Sequence, residues 1–182
     1  MVCWIMSLPH RLIEMESILT QEKALARYEV IDGVLCWKTR VISLGRISVR
    51  SGKPVGCHSG HGYIKVGIGK VRMYAHQIVY LMAYGFIPKH IDHIDGNREN
   101  NHIENLRSCT KSENALNSKI PISNTSGYKN VLWSNQKSKW QCKLTINNKQ
   151  VHIGFFDDLD LAGLVAIEAR EKYCGNFANH GV

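Results

Sequence analysis

An aspartate beside a histidine, with asparagines at intervals behind them, marks the stretch IDHIDGNRENNHIENLRSCTKSEN, Ile91 to Asn114. It holds two Asp and two His around one glycine, with little apolar mass to account for its order. Hydrolysis of a phosphodiester needs a group to deprotonate water and a positive centre near the leaving oxygen. A neutral histidine and a carboxylate-bound divalent metal meet those needs, which makes His93 and Asp92 the candidates. Asn114 could add a neutral oxygen for a hard ion such as Mg²⁺. The same residues also suit an asparagine-rich turn whose side chains satisfy their own backbone.

The elements around the pair must bring it to one place. Ile91 is expected to end a short strand, so that Asp92 and His93 can converge at its end, and Gly96 permits the tight turn beyond. Thr110 and Glu113 fit a capping box, which starts a helix near Lys111 and sets Asn114 in its first turn. The expected unit is strand, turn, strand, helix. His76 reads as a packing or hydrogen-bonded helix residue, and His90, Asp95, Asn97 and His102 as turn or surface groups, with Asn100 and Asn101 stabilising the loop. Arg98 and Arg107 suit phosphate contacts as well as solvated positions.

Upstream, Ile18 to Arg27 has a helical pattern, and YEVIDGVLCWK reads as a hairpin turning at Asp32-Gly33. GYIKVGIGKVRMYAH alternates as strands do before AHQIVYLMAYGF turns helical. Downstream, GYKNVLWSNQKSKWQCKLTINNKQVHIGFF reads as three antiparallel strands, turning near Ser134 to Lys137 and at Asn147-Asn148. Leu159, Ala162, Val165, Ala166, Ala169 and Tyr173 then form the stripe of a helix. The class is α+β. The expected organisation is an N-terminal helix and hairpin over 1–50, a central module over 51–118, a linker over 119–125 and a C-terminal module over 126–182.

Composition narrows the partner. The 182 residues carry 23 Lys and Arg against 15 Asp and Glu, a formal +8, which favours a polyanion without choosing among DNA, RNA and an anionic membrane. No acidic residue occurs between Lys38 and Arg72 or between Lys119 and Phe156. The six cysteines show no C-x-x-C spacing and suit reduced thiols in a cytoplasmic protein. The start MVCWIMSLPHRL lacks a basic leader, Met6 is an equally natural start, and no run is long enough for a membrane span.

The runs H-Q-I-V-Y, I-D-H-I-D-G-N-R-E-N-N-H-I-E-N-L-R and T-K-S-E-N-A-L-N, over His76 to Asn117, resemble the HNH endonucleases, in particular their phage and homing branch. The resemblance implies a ββα-metal fold with His93 as general base, Asp92 and Asn114 on one Mg²⁺ or Mn²⁺ ion, and Asn105 bracing the loop. No small-molecule cofactor is implied. The partner would be double-stranded DNA in a bacterial host's cytoplasm, nicked by a monomer or cut on both strands by a homodimer. The rivals are a DNA-binding regulator without nuclease activity and an RNA-binding protein.

The segments G-Y-K-N-V, K-W-Q-C-K, H-I-G-F-F-D and A-R-E-K-Y-C-G-N-F-A, within Ser126 to Ala178, resemble the APETALA-like DNA-binding domain of plant ethylene-response factors. In that fold a three-stranded sheet packs on one helix and enters the major groove. By position the resemblance implies contacts from Lys129, Trp133, Lys139, Trp140 and Lys143. Lysine replaces the arginine usual there, and as a point charge it suits phosphate better than guanine. Trp140 reads equally as core, and Phe155, Phe156 and Tyr173 are expected in the core.

Overall fold

The computed structural model describes residues 18–38, 41–43, 46–48, 51–146 and 149–180. The two start methionines, Cys3 and the Asn147-Asn148 turn lie outside them. Two compact units result, Met1–Ser108 and Cys109–Val182. The division falls within the stretch read above as the central module.

Among the described residues of the first unit, α1 (Gln21–Arg27) has the N-cap Thr20, which accepts from the Lys23 amide. β1 (Tyr28–Ile31) and β2 (Val34–Trp37) then pair through the expected turn, with Asp32 at φ 48° and Gly33 at φ 74°. Both positive values suit the tight turn that matches strand twist. β3 (Val41–Ser43) and β4 (Arg46–Ser48) form a second pair, and β5 (Cys57–His58), β6 (Ile64–Ile68) and β7 (Val71–Tyr74) a three-stranded sheet. α2 (Ala75–Tyr84) follows β7 directly and ends at Gly85, in the left-handed region. Its Ile78, Val79 and Leu81 join Leu19, Tyr28, Leu35, Val66 and Met73 in the core.

β8 (Ile91–His93) and β9 (Leu106–Ser108) close the unit as an antiparallel pair, with Asp92 opposite Arg107 and His93 opposite Leu106. The strand runs two residues beyond its expected end at Ile91 because Asp92 and His93 both find partners on β9.

In the second unit the capping box of Thr110 and Glu113 opens α3 (Lys111–Leu116). β10 (Val131–Ser134), β11 (Lys139–Ile146) and β12 (Lys149–Phe156) form an antiparallel sheet, followed by α4 (Leu159–Cys174). Small residues on α4, Ala162, Ala166 and Ala169, pack with Val131, Cys142 and Leu144. At Gly163 a Cβ would meet the Tyr128 ring at 2.5 Å, so this helix position must lack a side chain. Tyr173 and Phe155 are 46% and 38% exposed, a correction to their expected core placement. Phe155 lies on the face of β12 turned away from the helix, opposite Gln141.

Among the described residues no helix is long and apolar enough to cross a membrane. Five cysteines, Cys36, Cys57, Cys109, Cys142 and Cys174, are outside disulfides.

Candidate active site

The twelve-residue connection from β8 to β9 is held by its own amides. Asn105 donates Nδ2 to the Asp95 carboxylate at 2.9 Å and to the Asn100 carbonyl at 2.8 Å, while its Oδ1 accepts from the Asp95 amide at 3.0 Å. Asp95 also accepts from Asn100 Nδ2 at 2.7 Å and from the Asn97 amide at 2.8 Å. Burial works to raise the Asp95 pKa, but the bonds from Asn100, Asn105 and Asn97, with His93 nearby, hold it below the usual value. Asp95 is thus a loop anchor as well as a turn residue.

His93 stands at the mouth of this loop and is buried, 4% exposed. Its Nε2 lies 3.3 Å from Asn101 Oδ1. Asn101 Nδ2 donates to the Glu99 carbonyl at 2.9 Å, which fixes Oδ1 towards the ring. The neutral imidazole then carries its proton on Nε2 and its lone pair on Nδ1. Burial is the largest influence on His93 and lowers its pKa, against the raising effects of Asn101, Asp95 and Asp92. The ring is therefore neutral at pH 7, the form that can accept a proton.

Aromatic side chains enclose it. His76 meets His93 edge-on at 5.1 Å and stacks on Tyr74 at 5.4 Å, and Tyr63 lies 5.3 Å from His76 and 6.0 Å from His93. Burial first, and His93 second, push the His76 pKa down to about 3. Its packing role on α2 is as expected, but what it packs against is the candidate base. The β1–β2 turn supports the loop from another side, since the Asn101 amide donates to the Gly33 carbonyl at 3.0 Å. A Cβ on Gly33 would come within 2.6 Å of the His102 ring. Close approach and positive φ both require glycine there.

Asp92 is 5% exposed, and its Oδ2 accepts from Arg107 Nε at 2.9 Å and Nη2 at 2.7 Å. Arg107 therefore faces a carboxylate in this structure rather than an open phosphate position. Arg98 is exposed, lies over the Tyr63 ring at 4.8 Å and donates to the His61 carbonyl at 2.8 Å. Asn114 is exposed in the first turn of α3, in the second unit. Among the described residues no three His, Cys, Asp or Glu side chains gather as a metal site. The donors to be tested are instead a carboxylate and an amide oxygen, a hard set that suits Mg²⁺ or Mn²⁺ better than a soft metal. Arg107, on Oδ2, orients the Asp92 carboxylate.

The second unit redistributes the predicted DNA contacts. Lys129 turns inward, its ammonium donating to the carbonyls of Leu116 at 3.0 Å, Asn179 at 3.2 Å and Ser118. Burial, then Arg170, lower its pKa to about 8. Assigning it to the DNA-facing set is corrected by that geometry. Beside it Arg170, 2% exposed, donates to Asn130 Oδ1 at 2.7 Å and to the Leu116 carbonyl at 2.9 Å. Nothing in the helical pattern marked this arginine as interior. Trp133 and Trp140 face each other across β10 and β11 at 5.1 Å, in register with Val131 and Cys142 on the helix side. Trp140 packs against the core, and Trp133 is 44% exposed at its edge, so neither lies on the sheet's outer face. Lys139 and Lys143 alternate with the core residues of β11 and do face outward, Lys139 pairing with Asp157 at 2.8 Å.

These features agree with the comparisons to known proteins. Residues 73–116 match the family described as HNH endonuclease. Protein 3.8 of Escherichia phage T7 is 40% identical over 105 residues, covering 57% of this chain and 86% of that protein. The chain is thus a relative of protein 3.8, and its residues 73–116 belong to the HNH endonuclease family. The SPbeta prophage-derived HNH homing endonuclease candidate YosQ of Bacillus subtilis (strain 168) is 33% identical over 120 residues, 62% of this chain and 63% of that protein. This chain thus spans less than two thirds of that relative. The family match ends before the C-terminal sheet, and no solved structure matches the chain.

Proposed function

We propose that the protein is a metal-dependent DNA endonuclease of the phage homing type, acting in the cytoplasm of a bacterial host, with His93 as its general base. The observation that carries this reading is the tautomer lock. Asn101 holds the Nε2 proton of His93, in a ring beside Asp92 and at the mouth of a loop braced by Asn105. Nδ1 takes a proton from water, whose oxygen attacks phosphorus in line as the bond to the 3′-oxygen breaks, leaving 5′-phosphate and 3′-hydroxyl ends. Asp92 and Asn114 would hold one Mg²⁺ or Mn²⁺, which would supply Lewis-acid stabilisation for the charge developing on the departing oxygen. The β8–β9 hairpin followed by α3 is the element order of a ββα-metal module. Arg107 orients Asp92, and Arg98, exposed at the loop, binds phosphate. The C-terminal sheet on α4, read as an APETALA-like module, holds duplex DNA through Lys139 and Lys143. One such centre per chain nicks one strand, and a homodimer cuts both.

A second reading, a DNA-binding regulator without nuclease activity, draws on one observation: Arg107 already neutralises Asp92. Cleavage of supercoiled plasmid by wild type and His93→Ala, in Mg²⁺, Mn²⁺ or EDTA, decides between them. The nuclease reading expects metal-dependent nicking that falls by about 10²–10⁴-fold in His93→Ala with DNA affinity retained. Duplex binding with no nicking in any metal establishes the regulator.

A further inference from the structure

The outer face of the C-terminal sheet carries an arrangement that surface charge does not explain. Along β12, Phe155 stands opposite Gln141 and Gly154 opposite Cys142, but His152, not Ile153, stands opposite Lys143. Regular alternation from Phe155 would turn Ile153 outward and His152 inward. The extra residue at this bulge reverses the parity, so Ile153 packs against the core and His152 is exposed. Bulges re-aim side chains in this way, and the glycine beside this one eases the kink.

The re-aimed histidine meets two neighbours. Its ring lies 4.7 Å from that of Phe155, and its Nδ1 lies 3.3 Å from Gln141 Nε2. Gln141 is the middle member of the outward row Lys139, Gln141, Lys143, with Leu132 opposite it on β10. Lys143, and Lys139 in its pair with Asp157, give this face its charged groups, while the acids Asp160, Glu168 and Glu171 belong to α4, packed on the sheet's other side.

Resting on the reading that this sheet holds duplex DNA, we propose that Gln141, held by His152, reads an adenine in the major groove. An amide that gives one N–H to His152 Nδ1 keeps a second N–H and Oε1. That pair matches adenine, whose N7 accepts and whose N6 amino group donates. Guanine offers two acceptors along the same edge and leaves Oε1 facing oxygen. Phe155, fixed against His152, presents apolar surface suited to the methyl group of the thymine paired with that adenine. Lys139 and Lys143 flank the reader and supply phosphate contacts that carry no sequence information.

The test selects bound sequences from a randomised duplex library with the full chain in EDTA, so that binding is read without cleavage. Wild type is expected to enrich adenine at one position, and Gln141→Ala to lose that preference by roughly tenfold or more while affinity for random duplex stays within about twofold. Gln141→Glu should move the preference to cytosine, whose amino group donates to a carboxylate, a gain that misfolding cannot imitate. His152→Ala should relax the preference partway. Identical enrichment by wild type and Gln141→Ala, or no preference in wild type, overturns the proposal. The Lys139→Ala, Lys143→Ala double variant separates the layers. If it binds as tightly as wild type at matched salt, the sheet does not hold DNA and the proposal falls with that reading. If it binds weakly while Gln141→Ala keeps the wild-type preference, only the adenine assignment fails.

Discussion

The loop between β8 and β9 and the outer face of the C-terminal sheet are both polar, yet they handle their polar groups in opposite ways. In the loop, Asn105, Asn100, Asn101 and Asp95 bond to one another and to backbone, and the histidine they surround is 4% exposed. On the sheet, Gln141 and Lys143 are half-buried and His152 is exposed, with Phe155 and Leu132 exposed among them. A closed network fixes geometry before a substrate arrives, as proton transfer requires. An open face keeps donors and acceptors for a partner, as recognition requires.

The comparison breaks most severely at Asn105. Replacing it with alanine removes two donors and one acceptor from the loop and leaves the Asp95 amide and the Asn100 carbonyl without those partners. We expect a stability loss of about 2–3 kcal/mol in urea melts and, from a displaced base, a fall in nicking of about 10²-fold. Alanine at 105 with wild-type nicking would mean that the network is dispensable and the loop no more preorganised than the sheet.

What could be read in the sequence follows the same division between local and through-space order. The capping box at Thr110, the turn at Asp32-Gly33 and the alanine stripe of α4 are set by residues a few positions apart, so periodicity and turn chemistry expose them. The pair Asp92-His93 and the amides behind it were equally visible. The lock of Asn101 on His93, the cage of Tyr63, Tyr74 and His76, and the support from Gly33 join residues as far apart as Gly33 and Asn101, 68 positions, and no spacing rule encodes them. Lys129 misled because a count of charges does not show three carbonyls waiting inside. His152 and the two tryptophans depended on which face each strand turns to the helix, and a single bulged residue changes that parity.

A smaller effect sharpens the loop side through pH. His76 titrates near 3 when folded and near 6.5 when unfolded, so between those values the unfolded chain binds more protons. The stability held by neutral His76 is therefore complete above about pH 6.5 and falls as pH drops towards 3. At pH 5 the loss relative to pH 8 is about 2 kcal/mol from this group, and His93, also lowered by burial, adds a loss of the same sign that both proteins share. Urea denaturation of wild type and His76→Phe at both values measures it. Phenylalanine keeps the aromatic contact and cannot charge, so its stability should fall less with acid. Equal losses in the two proteins would place the pH sensitivity elsewhere.

The smallest expected effect compares two lysines of the sheet unit, Lys143 on the outer face and Lys129 on its inner carbonyls. If phosphate is held by the outer face alone, Lys143→Ala should weaken duplex binding a few-fold and reduce the slope of log K against log salt by about 1, since one fewer counterion is released. Lys129→Met should leave that slope unchanged and lower stability instead, because it strips the donors from Leu116, Ser118 and Asn179. Anisotropy titrations of a random duplex at four salt concentrations, with a urea melt of each variant, give both quantities. A slope that changes with Lys129 and not with Lys143 would reverse the assignment, placing the DNA on the side of the sheet that carries α4 and leaving the exposed row of β11 without a partner.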